Sequence, residues 1–336
     1  MSAIYLSCYR LSLTKRQVGQ TSFIYIQAIP GEMSNINSNL SSDLQQIAIE
    51  EVGEGLSNLP DTLEEPKCWL VTKQSHFCCR LDQAYLLQFL RGCNYDLEKV
   101  KRKLQHFYTF KTLCPDVFGT VNVNDKKFRQ MHDIGCIGVL PKPLNEYGPR
   151  IVVYRYLYSP EKYGMVELLA VCLATLETLI VSDPQTCVCG LVSIFDMSDI
   201  TMDHILAYTP EVLKKLTILY EKVIPFDIKG FYFMNVPDFA DNFFNLYLPS
   251  LSAEHRERVF VCGQNIKHIT DKIPRKYLPK EYGGENGCLQ DLVKEFHTVW
   301  DKHSEYFREN QKYGLKMDLS GTDGPVHFEK LDDYFK

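Results

Sequence analysis

The chain has 336 residues, of which 45% are hydrophobic and 24% charged, and its formal net charge is −5. Such a chain can bury one or two sizeable cores, and its acidic balance argues against a nucleic-acid-binding protein, which needs a basic surface. No apolar run reaches the roughly 18 residues that a membrane-spanning helix needs, so we predict that the chain does not cross a bilayer.

The twelve cysteines are scattered along the chain. Pairs such as Cys78 with Cys79, or Cys187 with Cys189, lack the C-x-x-C spacing that tetrahedral zinc prefers. We interpret the cysteines as reduced thiols and predict no metal site.

The first 32 residues carry three basic residues and no acidic residue before Glu32. This composition is compatible with a mitochondrial transit peptide, a description that many sequences satisfy. We interpret residues 1–39 as an unstructured extension and prefer a translation start at Met33 over one at Met1. Mitochondrial import through residues 1–32 is the alternative.

Three helices are predicted next. Residues 42–52 repeat apolar side chains at helical spacing after the candidate caps Ser42 and Asp43. A second helix is predicted over residues 81–91, and a third from Asp96 to Cys114. These segments predict a small helical bundle over residues 40–118.

The middle of the chain alternates between strand-like and helical patterns. Four short, nearly continuous apolar runs are typical of strands buried on both faces: 151–156, 191–196, 229–235 and 259–262. Helical spacing separates them over residues 165–181 and 202–223, which predicts parallel strands with right-handed crossovers. A C-terminal amphipathic helix is predicted over residues 289–300, and the tail from Gly314 has no such pattern.

The sequence contains none of the usual nucleotide-binding, serine-hydrolase or zinc-protease motifs. Its nine histidines are dispersed. Asp196 ends a predicted strand, where an α/β enzyme would place an acid, but we prefer a structural role for it. We therefore predict that the chain is not an enzyme, and a hydrolase-like activity is the third hypothesis.

Several motifs resemble the CRAL-TRIO lipid-binding domain, in the order in which that family carries them: Ile194-Phe195-Asp196, Thr209-Pro210, Phe233-Met234-Asn235-Val236-Pro237 and Leu278-Pro279-Lys280-Glu281-Tyr282-Gly283-Gly284. Upstream, residues 89–97 resemble the helical module that precedes this domain in tocopherol-transfer and retinaldehyde-binding proteins. The resemblance implies an α/β fold with a small N-terminal helical bundle, a mostly parallel sheet, covering helices and a mobile gate helix. It divides the chain into a helical domain (40–118), a lipid-binding domain (119–284) and a C-terminal helix and tail (285–336).

The resemblance also implies the site. It places nine residues at or near a cavity wall: Tyr154, Leu173, Glu177, Ile194, Leu216, Tyr220, Ile224, Ile228 and Phe231. Glu177 is either the polar anchor of the ligand or a solvent-facing residue. The predicted gate over residues 237–248 carries Phe239, Phe243, Phe244, Tyr247 and Leu248, and its competitor is a fixed core helix. No cofactor is expected besides the bound lipid.

Phosphoinositide headgroups are held in these relatives by a basic cleft. The matching positions here keep Arg102, Lys229 and Arg258, with Arg256 nearby, but Cys93, Asp227 and Glu254 stand where other basic residues are expected. Because phosphate recognition depends on several charge-assisted bonds, we predict weak headgroup selectivity and general attraction to anionic membranes.

The leading hypothesis is a cytoplasmic carrier that binds a tocopherol- or retinoid-like ligand and transfers it between membranes. The alternative is a phosphoinositide-responsive regulatory module that binds a signalling protein. We expect a monomer that contacts anionic membranes transiently and binds no nucleic acid.

Overall fold

The computed structural model describes residues 12–18, 21–27, 40–55, 59–73, 77–119, 121–315 and 334–335. The chain divides into two compact units, Met1–Asn39 and Leu40–Lys336. In the first unit, strands β1 (Ser12–Val18) and β2 (Thr21–Gln27) pair antiparallel. The sequence analysis predicts an unstructured extension here. The hairpin fits the β-branched and aromatic residues of β2, which favour strands.

The second unit begins with helices: α1 (Ser42–Val52), α2 (Leu59–Thr72), α3 (Gln83–Gly92), α4 (Leu97–Leu113), α5 (Pro115–Phe118) and α6 (Lys126–Asp133), with the short strand β3 (Phe77–Cys78) before α3. Asp82 and Asp96 cap α3 and α4 by accepting from backbone N–H groups, and Ser41 rather than Ser42 caps α1. The three predicted helices are confirmed, whereas α2, α5 and α6 were not predicted.

A five-stranded sheet forms the centre of this unit, in the order β4 (Ile137–Val139), β5 (Arg150–Arg155), β6 (Leu191–Asp196), β7 (Ile228–Met234) and β8 (Val259–Val261). The strands from β5 to β8 are parallel, and β4 joins the edge antiparallel. The four predicted strands and their parallel pairing are confirmed.

Helices and turns follow the strands: α7 (Met165–Ser182), α8 (Pro184–Cys189), α9 (Met202–Leu206), α10 (Pro210–Ile218) continued by a π-helix (Leu219–Val223), α11 (Asp241–Ser250), α12 (Ala253–Glu257) and α13 (Ile266–Thr270). The single helix predicted over residues 202–223 is therefore wrong. It breaks before Thr209, which caps α10, and Pro210 begins the new helix because its missing N–H costs nothing there.

The chain then forms α14 (Leu289–Lys302), α15 (Ser304–Asn310) and β9 (Gly314–Leu315), and β9 pairs antiparallel with β3. The predicted C-terminal helix is thus present. The buried indole of Trp300 donates from Nε1 to Thr178 Oγ1 at 3.0 Å, which fixes α14 against α7.

Helix α7 is long and apolar enough, by length and composition, to cross a membrane, contrary to the sequence estimate. However, 78% of this stretch is buried inside the protein. Since the core helix of a folded domain has the same composition, α7 is accounted for by its packing.

Close contacts join the N-terminal helices to the sheet layer. A Cβ atom on Gly92, at the end of α3, would lie 2.8 Å from the carbonyl carbon of Pro225, so only glycine allows this approach. Lys103 of α4 donates to the carbonyl oxygens of Glu221 and Ile224 at 2.9 and 2.8 Å. These contacts tie α3 and α4 to the segment between α10 and β7.

Candidate functional site

A narrow apolar cavity of about 60 Å³ lies on one face of the sheet. Its wall is built from three strands of the sheet, from α7, from α10 with its π-helical continuation, and from α11. The sheet contributes Tyr154, Phe195 and Phe233, and α7 contributes Met165, Leu168, Leu169 and Cys172. The remaining wall residues include Leu216, Leu219 and Tyr220 from α10 and the π-helix, and Phe243 and Tyr247 from α11. The lining is almost wholly carbon, which suits an apolar molecule.

The strand register explains the flat aromatic side of this wall. Tyr154, Phe195 and Phe233 occupy equivalent positions on β5, β6 and β7. Because the strands are parallel and in register, their rings stack in a row, with both centroid separations at 4.7 Å and interplanar angles of 12° and 11°.

The polar groups in the wall are several tyrosine hydroxyls, the Thr217 hydroxyl and Arg155, whose Nε donates to the carbonyl oxygen of Gly135 at 3.0 Å. Tyr220 donates to Tyr154 at 3.1 Å, and the hydroxyls of Tyr156 and Tyr208 lie 3.0 Å apart. Burial raises the pKa of Tyr156 to about 12 and also raises the pKa of Tyr154. These hydroxyls are therefore neutral at physiological pH and able to exchange hydrogen bonds with an uncharged polar group.

Helix α11 contributes Phe243 and Tyr247 to the cavity wall. Phe243, Phe244 and Tyr247 are buried and pack against Phe233, at ring distances of 6.0, 5.1 and 5.8 Å. On the outer side of the helix, Leu246 is 51% exposed, beside the exposed polar residues Asn242 and Asn245. The same helix thus presents apolar surface both to the cavity and to solvent.

Residues 137–284 match the CRAL/TRIO domain model, and residues 57–128 match the Pinta-like UBA domain model. The chain therefore carries a CRAL/TRIO domain over residues 137–284. Lipid binding and transfer is the general function that a CRAL/TRIO domain implies. The residues of the CRAL/TRIO match include all five strands of the central sheet, from β4 to β8.

Among curated proteins, the chain is 26% identical to Clavesin-2 of Homo sapiens over 75% of this chain and 77% of that protein. It is 25% identical to Clavesin-1 of Rattus norvegicus, over 75% and 71% of the two chains. It is 26% identical to the alpha-tocopherol transfer protein-like protein of Pongo abelii, over 80% and 81%. Among solved structures, the crystal structure of Sfh5 matches with a TM-score of 0.46 at 11% identity, covering 75% of this chain and 91% of that chain.

Within the CRAL/TRIO domain, the predicted wall residues divide into two groups. Tyr154, Leu216 and Tyr220 line the cavity, and Phe231 contacts the Tyr220 ring at 5.7 Å. Ile194 instead faces the other side of the sheet, where it packs with Val192. Leu173, Ile224 and Ile228 are buried outside the lining of the cavity.

Glu177 lies away from this cavity and from solvent, so the structure places it in neither of the predicted settings. It is 1% exposed, and its Oε2 accepts from Asn310 Nδ2 at 2.7 Å and from Tyr306 at 3.3 Å. It borders a second, more polar cavity of about 580 Å³ between α4, α7 and the C-terminal segment. Burial raises the pKa of Glu177 to about 7, although the nearby Lys111 ammonium opposes this shift.

The predicted gate residues also divide. Phe243 and Tyr247 line the cavity, and Phe244 is buried beside them. Phe239 is 40% exposed, just before α11. Leu248 contributes its carbonyl oxygen, which accepts from Arg256 Nε at 3.0 Å.

The predicted basic cleft is largely neutralised by acidic neighbours. Lys229 Nζ lies 3.0 Å from Asp227, and Arg258 pairs with Asp227 at 3.0 Å and with Glu254 at 2.6 Å. Arg256 donates to the carbonyl oxygens that end α11, and Arg102 is exposed on α4. Asp227 and Glu254, which stand where the resemblance expects basic residues, thus engage two of the remaining cations, Lys229 and Arg258.

Sequence analysis missed much of the wall, notably Phe195, Phe233, Leu169 and Cys172. The strand register identifies two of these residues, Phe195 and Phe233. Once Tyr154 is assigned to the cavity, its neighbours at the same level of the parallel sheet follow.

Proposed function

We propose that this chain binds one small hydrophobic lipid with an uncharged polar group and transfers it between membranes through the cytosol. The apolar cavity with its stacked aromatic wall and buried tyrosine hydroxyls carries this proposal. The family supplies the general function, and the chemistry of the wall narrows the class of ligand.

The cavity has to widen before such a ligand fits. Pockets for molecules of this size measure roughly 300–1,000 Å³, against about 60 Å³ here. Helix α11 is the wall element best suited to move, because it follows Pro237 and ends near Pro249. We assign it the role of the gate.

Apolar burial supplies enough free energy to hold the lipid. A ligand that hides roughly 500 Å² of apolar surface gains on the order of 12 kcal/mol at about 25 cal/mol per Å². The costs of association and of opening the wall reduce this figure. The remainder favours a water-insoluble molecule over a polar metabolite.

The tyrosine pairs favour a hydroxyl, aldehyde or ester over a charged headgroup. Neutral hydroxyls in a carbon-lined cavity offset the desolvation of one uncharged polar group, whereas a buried charge would need a counter-charge. A tocopherol or a retinoid meets this description. One similar protein carries tocopherol transfer in its name.

The phosphoinositide-responsive alternative receives less support. The ion pairs of Lys229 and Arg258 with acidic neighbours leave few cations for a multiply charged headgroup.

Ligand identity is tested by extracting the purified full-length protein with organic solvent and analysing the extract by mass spectrometry. We expect a lipid with a single uncharged polar group. Recovery of a phosphoinositide would instead support the regulatory module, and an empty protein that hydrolyses esters would overturn both readings.

The tyrosine contact is tested with Tyr154→Phe and Tyr220→Phe, using the extracted lipid. Each variant should weaken binding by about 0.5–1.5 kcal/mol, the usual net value of one hydrogen bond. Tyr232→Phe is the matched control, since Tyr232 packs on the other face of the sheet. Equal affinities for all three variants and the wild type would contradict the tyrosine contact.

A further inference from the structure

Two histidines and an aspartate meet between α6 and α14, and none of them lines the binding cavity. His132 Nδ1 lies 3.2 Å from His297 Nε2, and His297 Nε2 lies 3.3 Å from Asp133 Oδ1. All three potential ligand atoms lie within 4.8 Å of one another.

We propose that His132, Asp133 and His297 bind one divalent transition-metal ion of the zinc type, with solvent completing its coordination. Zinc binds imidazole nitrogen and carboxylate oxygen at about 2.0–2.2 Å, so two ligand atoms of a tetrahedral site lie roughly 3.3–3.5 Å apart. The two measured separations of 3.2 and 3.3 Å are close to this spacing.

The surrounding aromatic rings hold the two imidazoles in place. The His132 ring lies 4.5 Å from the ring of Trp300, and the His297 ring stacks on Trp300 at 5.6 Å with an interplanar angle of 16°. His132 is 2% exposed, whereas Asp133 is partly open to solvent. The site is therefore fixed on its inner side and accessible to an ion on its outer side.

One cation, Arg129, lies a turn before Asp133 on α6 and would repel a metal ion if it faced the site. Its guanidinium is engaged elsewhere, with Nε donating to Val123 O at 2.6 Å and Nη2 to Asp301 Oδ1 at 2.5 Å. Asp301 thus offsets the positive charge of Arg129 beside the site.

The ligand set selects the class of ion. Two imidazoles and one carboxylate suit zinc, cobalt or nickel, whereas calcium and magnesium prefer oxygen ligands alone. Bound here, the metal would cross-link α14 to α6 and stabilise the attachment of the C-terminal helices.

Zinc titration of the full-length protein, freed of metal with a chelator, tests the proposal by calorimetry. We expect one zinc equivalent to bind the wild type and to raise its melting temperature. His297→Ala should lose that equivalent and the thermal shift, while His303→Ala, at the C-terminal end of the same helix, should keep both.

The cysteines provide a competing explanation, which the variants separate. Equal zinc binding by the wild type and His297→Ala would assign the metal to thiols and overturn the proposal, as would a wild type that binds no zinc. If His297→Ala fails to fold, Asp133→Ala removes the 48% exposed ligand instead and should also lose the equivalent.

Discussion

Glu177 is a carboxylate buried between α7 and the C-terminal helices. Lys111 of α4 and Arg80 favour its charged form, and Asn310 and Tyr306 donate to it. Burial outweighs these partners, since the pKa of Glu177 rises to about 7 while that of Lys111 falls to about 8. Both groups therefore lose more by desolvation than they regain from each other.

This balance predicts a pH-dependent stability. The folded pKa of about 7 exceeds the ordinary value of 4.5, so the folded state binds more protons between these values and loses stability as pH rises through them. The loss is on the order of 3 kcal/mol. Glu177→Gln should abolish this loss of stability. The unfolding free energy of the variant should therefore increase relative to that of the wild type as the pH rises from 4.5 to 7.

Urea denaturation at a series of pH values measures this difference. Glu305→Gln is the control, because its carboxylate is 57% exposed and should leave the pH profile unchanged. Parallel profiles for the wild type and Glu177→Gln would show that Glu177 titrates normally.

Helix α11 combines a buried aromatic face with an outer face on which Leu246 is exposed among polar residues. The gate hypothesis suggests replacing Phe243 and Phe244 by aspartate, but both are buried against Phe233, so a charge there would destabilise the fold and obscure any transfer defect. The exposed Leu246 tests the gate more cleanly, because it presents its side chain to solvent.

Leu246→Asp should slow lipid transfer between anionic liposomes severalfold, because it removes an apolar side chain from the surface that would enter the bilayer. As a surface change, it should alter the unfolding free energy by less than about 0.5 kcal/mol. Ile49→Asp is the control, since Ile49 is 42% exposed on α1. Unchanged transfer by Leu246→Asp, measured with the extracted lipid, would argue for a fixed core helix.

Across the whole molecule, the helices after residue 39 and the sheet form one compact unit, Leu40–Lys336. Helix α1 packs Leu44 and Ala48 against Val188 of α8. The buried pair of Arg91 and Glu54 joins α3 to the segment that follows α1, with guanidinium Nε and Nη2 each 2.9 Å from a carboxylate oxygen.

Arg91→Met should lower the unfolding free energy by about 3–5 kcal/mol, because it leaves Glu54 buried without its counter-charge. Adding Glu54→Met should recover much of that loss. Trp69 and Trp300 lie in α2 and α14, so tryptophan fluorescence reports on the unfolding of these two helices. Circular dichroism reports on the secondary structure of the whole unit. Denaturation curves that separate for these two signals would contradict a single cooperative unit.

Local pattern was sufficient to predict much of the secondary structure. The strands β5, β6 and β7 are apolar runs bounded by breakers, and α14 has an amphipathic repeat. The local pattern did not predict the break in the helix before Thr209, because that break depends on a helix cap. It also missed α2, because the interior Pro66 weakens the helical signal.

The sequence by itself determined that the chain is an α/β protein with the motifs of a CRAL/TRIO domain and an excess of apolar surface. The tertiary structure decided which side chains face the cavity. Because β6 is apolar on both faces, its composition does not reveal that Phe195 faces the cavity and Ile194 the opposite core. Helix α7 is apolar around most of its circumference, so only packing sets the direction of Glu177. His132 and His297 lie 165 residues apart, and folding alone brings them together.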